Sequence, residues 1–528
     1  MAEPEGPSSL DPVALSLARP ALEAPSPIGA SPSTALPRVS STADVEALVA
    51  LARTAQRGWA GAPISARTRA LAKVSRRILE RAEEIAALVA EETGKPLEEA
   101  LLAEVLPNAD LLSYWLREGP ELLEPTELSL DAISFPRKSA TVHRDARGVI
   151  GLVTPWNYPV AIPLRTLIPA LLAGNAVVFK PSEVTPRCGA LVASLFDGLL
   201  PHGVLSVAHG GGDVGAALVG SALDLVVFTG SVRTGRKIAV ACAERLVPCS
   251  LELGGKDAAI VLADADLERA AHGIVWGAFT NAGQNCGSIE RVYVESAVAE
   301  PFLARVAALA TSLRPGIDVG RLTTEAQLAV VRDHVERAIA DGAEVLAGGL
   351  PSPADGLFFP PTVLRMRDER TPLLQDETFG PVLPVFVVAS ADEGIARAND
   401  SRYGLSASLW TRHLALAESR AQLLRVGVVT INNHAFTPAI PSAPWTGVGE
   451  SGHGVTNGPH ALAELTRPRL VLVDASRAKR ELWWYPYTPA LRTLALAMAK
   501  VRGGAGFFGR IGALFPLVSA FARRLLGG

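Results

Sequence analysis

Apolar residues recur three and four positions apart from about residue 42 to 118, with Arg and Glu between them. That spacing predicts a run of amphipathic helices. After Arg147 the texture changes. Short apolar runs at 149–153, 176–179 (ending on Lys180), 204–208 and 225–228 predict strands, and 164–172, 188–199 and 234–245 carry the helical spacing. Strands alternating with crossover helices imply a parallel sheet. Such sheets bind ligands at the carboxyl ends of their strands. The loops 154–159, 180–183 and 229–235 fall at those ends. A second α/β segment runs from about 255 to 446, and no repeat of solenoid period is visible.

Composition narrows the class. With 528 residues, 48% hydrophobic and 20% charged, the chain is long enough for two or three folded domains. A net charge of -3 gives no electrostatic case for nucleic acid. Cys188, Cys242, Cys249 and Cys286 are scattered, without a C-x-x-C pair or a His cluster at metal spacing. Neither a disulfide framework nor a metal site is expected, and a reducing, cytoplasmic setting is the default. Residues 1–38, rich in Pro, Ser and Ala, read as a flexible tail without the pattern of a secretory signal. Mean hydropathy is +0.25, yet the uncharged stretch 426–449 holds Asn432, Asn433 and several prolines and is no membrane span.

Several short elements carry candidate chemistry. Cys286, in Gly283-Gln284-Asn285-Cys286-Gly287, is flanked by small residues in a loop, where a thiolate could act as nucleophile. Glu252, in Leu251-Glu252-Leu253-Gly254-Gly255-Lys256, ends a strand-like run and could serve as a general base. Asn157, in Thr154-Pro155-Trp156-Asn157-Tyr158-Pro159, offers an amide in a proline-stiffened loop, as an oxyanion requires. Lys180-Pro181-Ser182-Glu183 places a cation and a carboxylate three apart after a strand, and Glu183 could accept from ribose hydroxyls. Phe228-Thr229-Gly230-Ser231-x(3)-Gly235 is a glycine turn opening a helix, a start that suits phosphate. Asp376-Glu377-Thr378-Phe379-Gly380-Pro381 is a turn. Each, taken singly, reads as readily as a turn, a surface carboxylate or a half-buried thiol.

Together the six resemble the aldehyde dehydrogenase superfamily, whose signatures P-W-N, K-P-S-E, F-T-G-S-x(3)-G, E-L-G-G-K, G-Q-x-C and E-x-F-G-P occur here in the family's order over roughly 40–475. The 34-residue step from Glu252 to Cys286 also matches the family spacing. The resemblance implies an α/β fold with a Rossmann-like cofactor domain (39–128 and 145–254), an α/β catalytic domain (255–446) and a small β oligomerisation element (129–144 and 467–473). It implies NAD(P)-dependent oxidation of an aldehyde to an acid. Cys286 would be the nucleophile, Glu252 the base for deacylation, and Asn157 with the Cys286 backbone N–H the oxyanion hole. Lys180, Ser182 and Glu183 would lie at the adenosine ribose; Gly230, Ser231, Gly235 and Trp156 at the pyrophosphate; Glu377 and Phe379 at the nicotinamide end; and Leu253 would also touch the cofactor. NAD is favoured over NADP because Glu183 would repel a 2′-phosphate. The family also implies a homodimer or homotetramer.

Two rivals follow from the same residues: a CoA-acylating enzyme, whose relatives usually lack the base, and a non-catalytic scaffold, which would be expected to lose Cys286, Glu252 or Asn157. His209-Gly210-Gly211-Gly212 resembles a lipase oxyanion turn, but no G-x-S-x-G elbow accompanies it, so it reads as the loop after the third sheet strand. Small Gly287 and Ser288 leave room beside the thiol, and no Arg or Lys cluster lies near Cys286 in sequence; Arg291 occupies a position the family uses structurally. Long-chain, aromatic or short semialdehyde substrates all stay open. Residues 482–528 extend past the usual family length, with six basic residues and no acidic one among many apolar ones. They predict either a helical pair packed on this or another subunit, or a peripheral contact with a membrane surface.

Overall fold

The computed structural model describes residues 36–525 apart from 133, 368–369, 435, 482 and 504–505. The expected flexible tail therefore lies outside the described residues, save its last three positions. Helices Thr42–Gly61, Ile64–Glu80, Ala82–Thr93 and Leu106–Leu122 occupy the amphipathic stretch. Ser41 opens the first with a reciprocal capping box to Asp44. Gly94, at φ 83°, closes the third in the left-handed conformation that glycine adopts without strain. A short helix Leu97–Ala100 and a π turn Leu101–Val105 follow it.

Strands β1 (Thr126–Leu128) and β2 (Lys138–Ala146) precede the first parallel sheet, formed by β3 (Val149–Val153), β4 (Ala176–Lys180), β5 (Leu205–Val207), β6 (Leu225–Thr229) and β7 (Cys249–Glu252) in the order β5-β4-β3-β6-β7. The second sheet comprises β8 (Asp257–Val261), β9 (Ile289–Glu295), β10 (Glu344–Ala347), β11 (Thr362–Arg365), β12 (Val382–Val388), β13 (Ser406–Trp410) and β14 (Val428–Ile431), ordered β10-β11-β12-β9-β8-β13-β14. Only β10 runs antiparallel to its neighbour there. A small hairpin, β15 (Trp445–Thr446) with β16 (Val455–Thr456), precedes β17 (Thr466–Asp474), which pairs antiparallel with β2 in a separate sheet, β1-β2-β17.

Both parallel sheets are covered on both faces. Ile150, Leu152, Val177 and Phe179 pack toward Leu71, Leu112 and Trp115 of the N-terminal helices, while Val149, Val178, Val226 and Phe228 pack on Val45, Val49 and Leu218. This alternation explains why the strands read as continuous apolar runs. The strand order reverses between β3 and β6, and that switch point opens a crevice outside the strand ends. The helix expected at 188–199 instead spans Pro186–Ser194. A proline is tolerated in the first helical turn, and Gly198 at φ 68° turns the chain afterwards. His209–Gly211 follows the third strand of the first sheet, as expected. After β16, helix Gly458–Leu465 returns to the first sheet's core, where Leu462 and Leu465 are buried.

Candidate active site

The crevice at the first sheet collects the residues singled out in four loops. Lys180, the last residue of β4, is buried, and its Nζ donates to Glu183 Oε2 at 2.9 Å and to the Pro181 carbonyl at 2.9 Å. Burial pushes the Glu183 carboxyl up, but hydrogen bonds from its own backbone N–H and from Lys180 outweigh that and hold it below the usual carboxylate range. Ser182 is buried, and its Oγ accepts from Val184 N–H at 3.2 Å. Ser231 caps helix Val232–Glu244 by accepting from the Thr234 N–H. A Cβ at Gly235 would lie 2.5 Å from Leu253 Cδ2, so that glycine lets the helix start approach the strand end closely. Gly230 likewise sits against the Phe228 ring. A helix N-terminus after β6, held against glycine-lined backbone, with a cation and an anionic carboxylate at the end of β4 in the same sheet, fits a dinucleotide.

Trp156 meets the ring of Phe379 edge-on, centroids 5.6 Å apart. Phe379 has φ 53°, and its loop is held from behind. Glu290 on β9 accepts from the Thr378 N–H and the Phe379 N–H, both at 2.8 Å, and from Lys256 Nζ at 2.5 Å. Lys256 also donates to Thr378 Oγ1 at 3.0 Å, and Gln327 Nε2 donates to the Thr378 and Phe379 carbonyls. Glu377 Oε1 accepts from the Gly255 N–H at 3.1 Å. Burial and the nearby Glu290 push the Glu377 carboxyl up to about 8.

Cys286 lies between the two sheets' loops, half-buried. Asn281, Ala282 and Gly283 all have positive φ, a tight bend that ends just before the thiol. At Gly283 a Cβ would meet the Gly380 carbonyl at 2.0 Å, so this bend rests directly on the Glu377–Pro381 loop. Glu99 Oε1 accepts from Thr280 Oγ1 at 2.7 Å and from the Asn281 N–H. Asn157 is buried, and its Nδ2 donates to the Gln284 carbonyl at 3.1 Å, two residues before Cys286. An amide nitrogen carries two hydrogens, which leaves one for a ligand. The Asn157 backbone carbonyl accepts from Lys95 Nζ at 2.9 Å and Asn281 Nδ2 at 3.0 Å, and Lys95 pairs with fully buried Glu104 at 3.1 Å. Glu252 ends β7, buried, with Oε1 lacking any partner. Burial raises its carboxyl well above the ordinary range, against the pull of Arg165. Burial, with Glu252 next, raises the Cys286 thiol to about 12, again opposed by Arg165.

A cavity of about 610 Å³ leads to Cys286, lined by Leu102, Ile162, Phe279, Leu309, Leu313 and Phe436 among others, with Arg165 its cation beside the thiol. The sequence reading missed Arg165, because it lies in the apolar helix Ala161–Leu172 and far from Cys286 along the chain. It also missed Glu290, Lys95 and Glu104; two adjacent charges, Glu290 and Arg291, inside the buried strand Ile289–Glu295 were the available signal for the first. Arg291 is structural, as expected: its guanidinium donates to the Lys256 and Ala398 carbonyls.

A half-buried cysteine with a buried carboxylate nearby can form a thioester and then hydrolyse it, and the crevice beside them suits a dinucleotide. The profile of the Aldehyde dehydrogenase family matches residues 20–471. The 4,4'-diapolycopene aldehyde oxidase of Methylomonas sp is 38% identical over 455 residues, 85% of this chain and 85% of that one. Among solved structures, a Mycobacterium tuberculosis aldehyde dehydrogenase complexed with NAD+ aligns at TM-score 0.79 and 32% identity, covering 83% of this chain and 92% of that one. An NADP-dependent enzyme of E. coli aligns at TM-score 0.78 and 30% identity, covering 82% and 90%. The chain belongs to the aldehyde dehydrogenase family. It is an NAD(P)-dependent oxidoreductase acting on an aldehyde.

Proposed function

We propose that the enzyme oxidises long, apolar aldehydes to carboxylic acids, with Cys286 as nucleophile and NAD as the preferred cofactor. The observation that carries the substrate class is the cavity: about 610 Å³, mostly apolar, and ending at the thiol. Pockets of this size bury a drug-sized ligand, far more than a short semialdehyde needs. The diapolycopene aldehyde oxidase relative, named for a polyene aldehyde, agrees with this reading.

The Cys286 thiol gives up its proton to water, the resulting thiolate attacks the carbonyl carbon, and Asn157 Nδ2 with the Cys286 backbone N–H receives the oxyanion. Fixed donors of this kind contribute about 3–4 kcal/mol each. Bound nicotinamide supplies the acceptor for the hydrogen that leaves the aldehyde carbon with its bonding electrons. Cys286 carries a tetrahedral hemithioacetal before that transfer and a thioester after it. Glu252, whose free oxygen faces no protein donor, then takes a proton from the water that attacks the thioester; the C–S bond breaks, releasing the carboxylic acid and the Cys286 thiolate. A dedicated base for water favours hydrolysis over transfer to CoA. Lys180, Ser182, Glu183, Gly230, Ser231, Gly235, Leu253 and Trp156 would hold the adenosine and pyrophosphate; Glu377 and Phe379 would hold the nicotinamide end. The anionic Glu183 disfavours a 2′-phosphate.

In this reading 39–128 with 145–254 binds the cofactor, 255–446 carries the nucleophile, and 129–144 with 467–473 joins subunits into a dimer or tetramer. The exposed edge strand β17, with Leu470, Leu472 and Val473 outward, supports that joining role. The extension 482–528 contributes a peripheral membrane contact. The test is reduced-cofactor formation across straight-chain aldehydes of increasing length, with NAD and NADP. Specificity constants should rise with chain length and favour NAD. A maximum at short semialdehydes would overturn the substrate class.

A further inference from the structure

The family match ends at residue 471, and beyond it lie two helices, Pro489–Arg502 and Phe507–Leu525. They pack on each other through buried Leu494, Ala497, Ala513 and Ala520. Arg502, paired with Asp131 and Ser134, and Trp483, edge-on to Phe135 at 6.3 Å, tie the pair to the body. The second helix is apolar on two sides. Ala513 and Ala520 face the first helix, whereas Ile511, Leu514, Phe515 and Val518, spaced i, i+3, i+4 and i+7, form one stripe on the opposite side. That stripe is exposed, Phe515 at 83% and Val518 at 66%. Trp484, Tyr485 and Tyr487, just before the pair, are exposed as well.

Charge separates the candidate occupants. Residues 483–528 hold six of the chain's 50 basic residues and none of its 53 acidic ones, in a protein of net charge -3. A second copy of this chain, docked through the same stripe, would bring the same cationic segment against it. An anionic lipid surface matches both the apolar stripe and the positive charge. Among the described residues no helix is long and apolar enough to cross a membrane, so the pair would lie on the surface.

We propose that the C-terminal helical pair docks this enzyme on anionic lipid. Ile511, Leu514, Phe515 and Val518 enter the acyl boundary, and Trp484, Tyr485 and Tyr487 sit at headgroup level. This rests on the membrane-facing reading of 482–528 and gives it a lipid class and a face. It places the enzyme where long apolar aldehydes dissolve.

The test is co-sedimentation of the full-length protein with vesicles of phosphatidylcholine alone or mixed with phosphatidylglycerol. Binding should be at least tenfold stronger on the mixed vesicles and weaken with salt. Phe515→Ser with Val518→Ser should lower it by roughly tenfold or more, and Arg492→Gln with Lys500→Gln by roughly twentyfold. Both double variants should keep the wild-type rate on a water-soluble aldehyde, which shows that they fold. Equal binding to neutral vesicles, no binding, or binding unchanged in the variants overturns the proposal. So does a fall in oligomer mass in the Phe515/Val518 variant without a loss of lipid binding, which would assign the stripe to a second copy. Because binding is read without turnover, loss of long-chain specificity with intact vesicle binding would refute only the substrate class.

Discussion

Replacing Glu290 by Ala should loosen the cofactor loop from behind. The substitution leaves the Lys256 ammonium, whose side chain is fully buried, facing a void with only Thr378 Oγ1 left to accept from it. It also strips the acceptor from the Thr378 and Phe379 N–H groups. Breaking a buried ion pair from one side costs about 3–5 kcal/mol, and an unmet buried N–H about 1–3 kcal/mol. These penalties share the same carboxylate and overlap, so a net loss of about 4 kcal/mol is expected. For a chain of this length that lowers the melting temperature by roughly 5 °C. The functional effect is separate. Phe379 sits at φ 53°, a strained position for a residue with a side chain, and it relaxes once its N–H is released. Its ring then leaves Trp156, and Glu377 loses its place over Gly255. Loss of the ribose hydrogen bond proposed for Glu377, whose carboxyl is raised to about 8 and so largely neutral at pH 7, costs about 0.5–1.5 kcal/mol and raises the Kd for NAD by roughly two- to tenfold. Calorimetric titration with NAD, beside a melting curve, separates the two effects. Glu290→Gln keeps an acceptor for the loop and should fall between. A Glu290→Ala protein that melts earlier yet binds NAD with wild-type affinity would refute the idea that Glu290 positions this loop.

Two further outcomes follow from the site. The Cys286 thiol, raised to about 12, is protonated at neutral pH, so thiolate grows about tenfold per pH unit below that value. Iodoacetamide labelling of Cys286 should therefore climb with unit slope from pH 7 to 10, and Arg165→Met, which removes the opposing cation, should slow it about tenfold or more at each pH; a plateau near neutrality would show an already ionised thiol. Leu309→Trp or Leu313→Trp should fill part of the cavity, costing long aldehydes at least tenfold in kcat/KM while sparing short ones, and equal losses for both lengths would show that the cavity does not hold the chain.

Much of the fold was legible because buried parallel strands read as unbroken apolar runs: β3, β4 and β6 fall within a residue of their expected bounds. The helix expected at 188–199 starts two residues earlier, at Pro186, because the missing proline N–H is harmless in a first turn. Cys286, Glu252 and Asn157 were singled out only by the ordered set of six motifs, since each alone reads equally as a half-buried thiol, a strand-end carboxylate or a proline-flanked turn. Arg165 was not, because Cys286 lies far from it along the chain, and Glu104 and Lys95 were not, because a Lys or Glu in sequence reads alike whether it faces solvent or a buried partner. Glu104 and Lys95 are fully buried against each other, nine residues apart, across a helix boundary and a π turn that no spacing rule reports. Glu290 was hidden differently: its partners Thr378 and Phe379 lie 88 and 89 residues away.

The most direct measurement of the chemistry uses Glu252→Gln with NAD and dodecanal, quenched in acid and read by peptide mass spectrometry. Removing the base should slow steady turnover by about 10²–10⁴-fold while the first round of reduced cofactor still forms. The peptide bearing Cys286 should then carry a dodecanoyl mass. Undiminished turnover in this variant, or reduced cofactor formed with Cys286 unmodified, would contradict a thioester hydrolysed by Glu252.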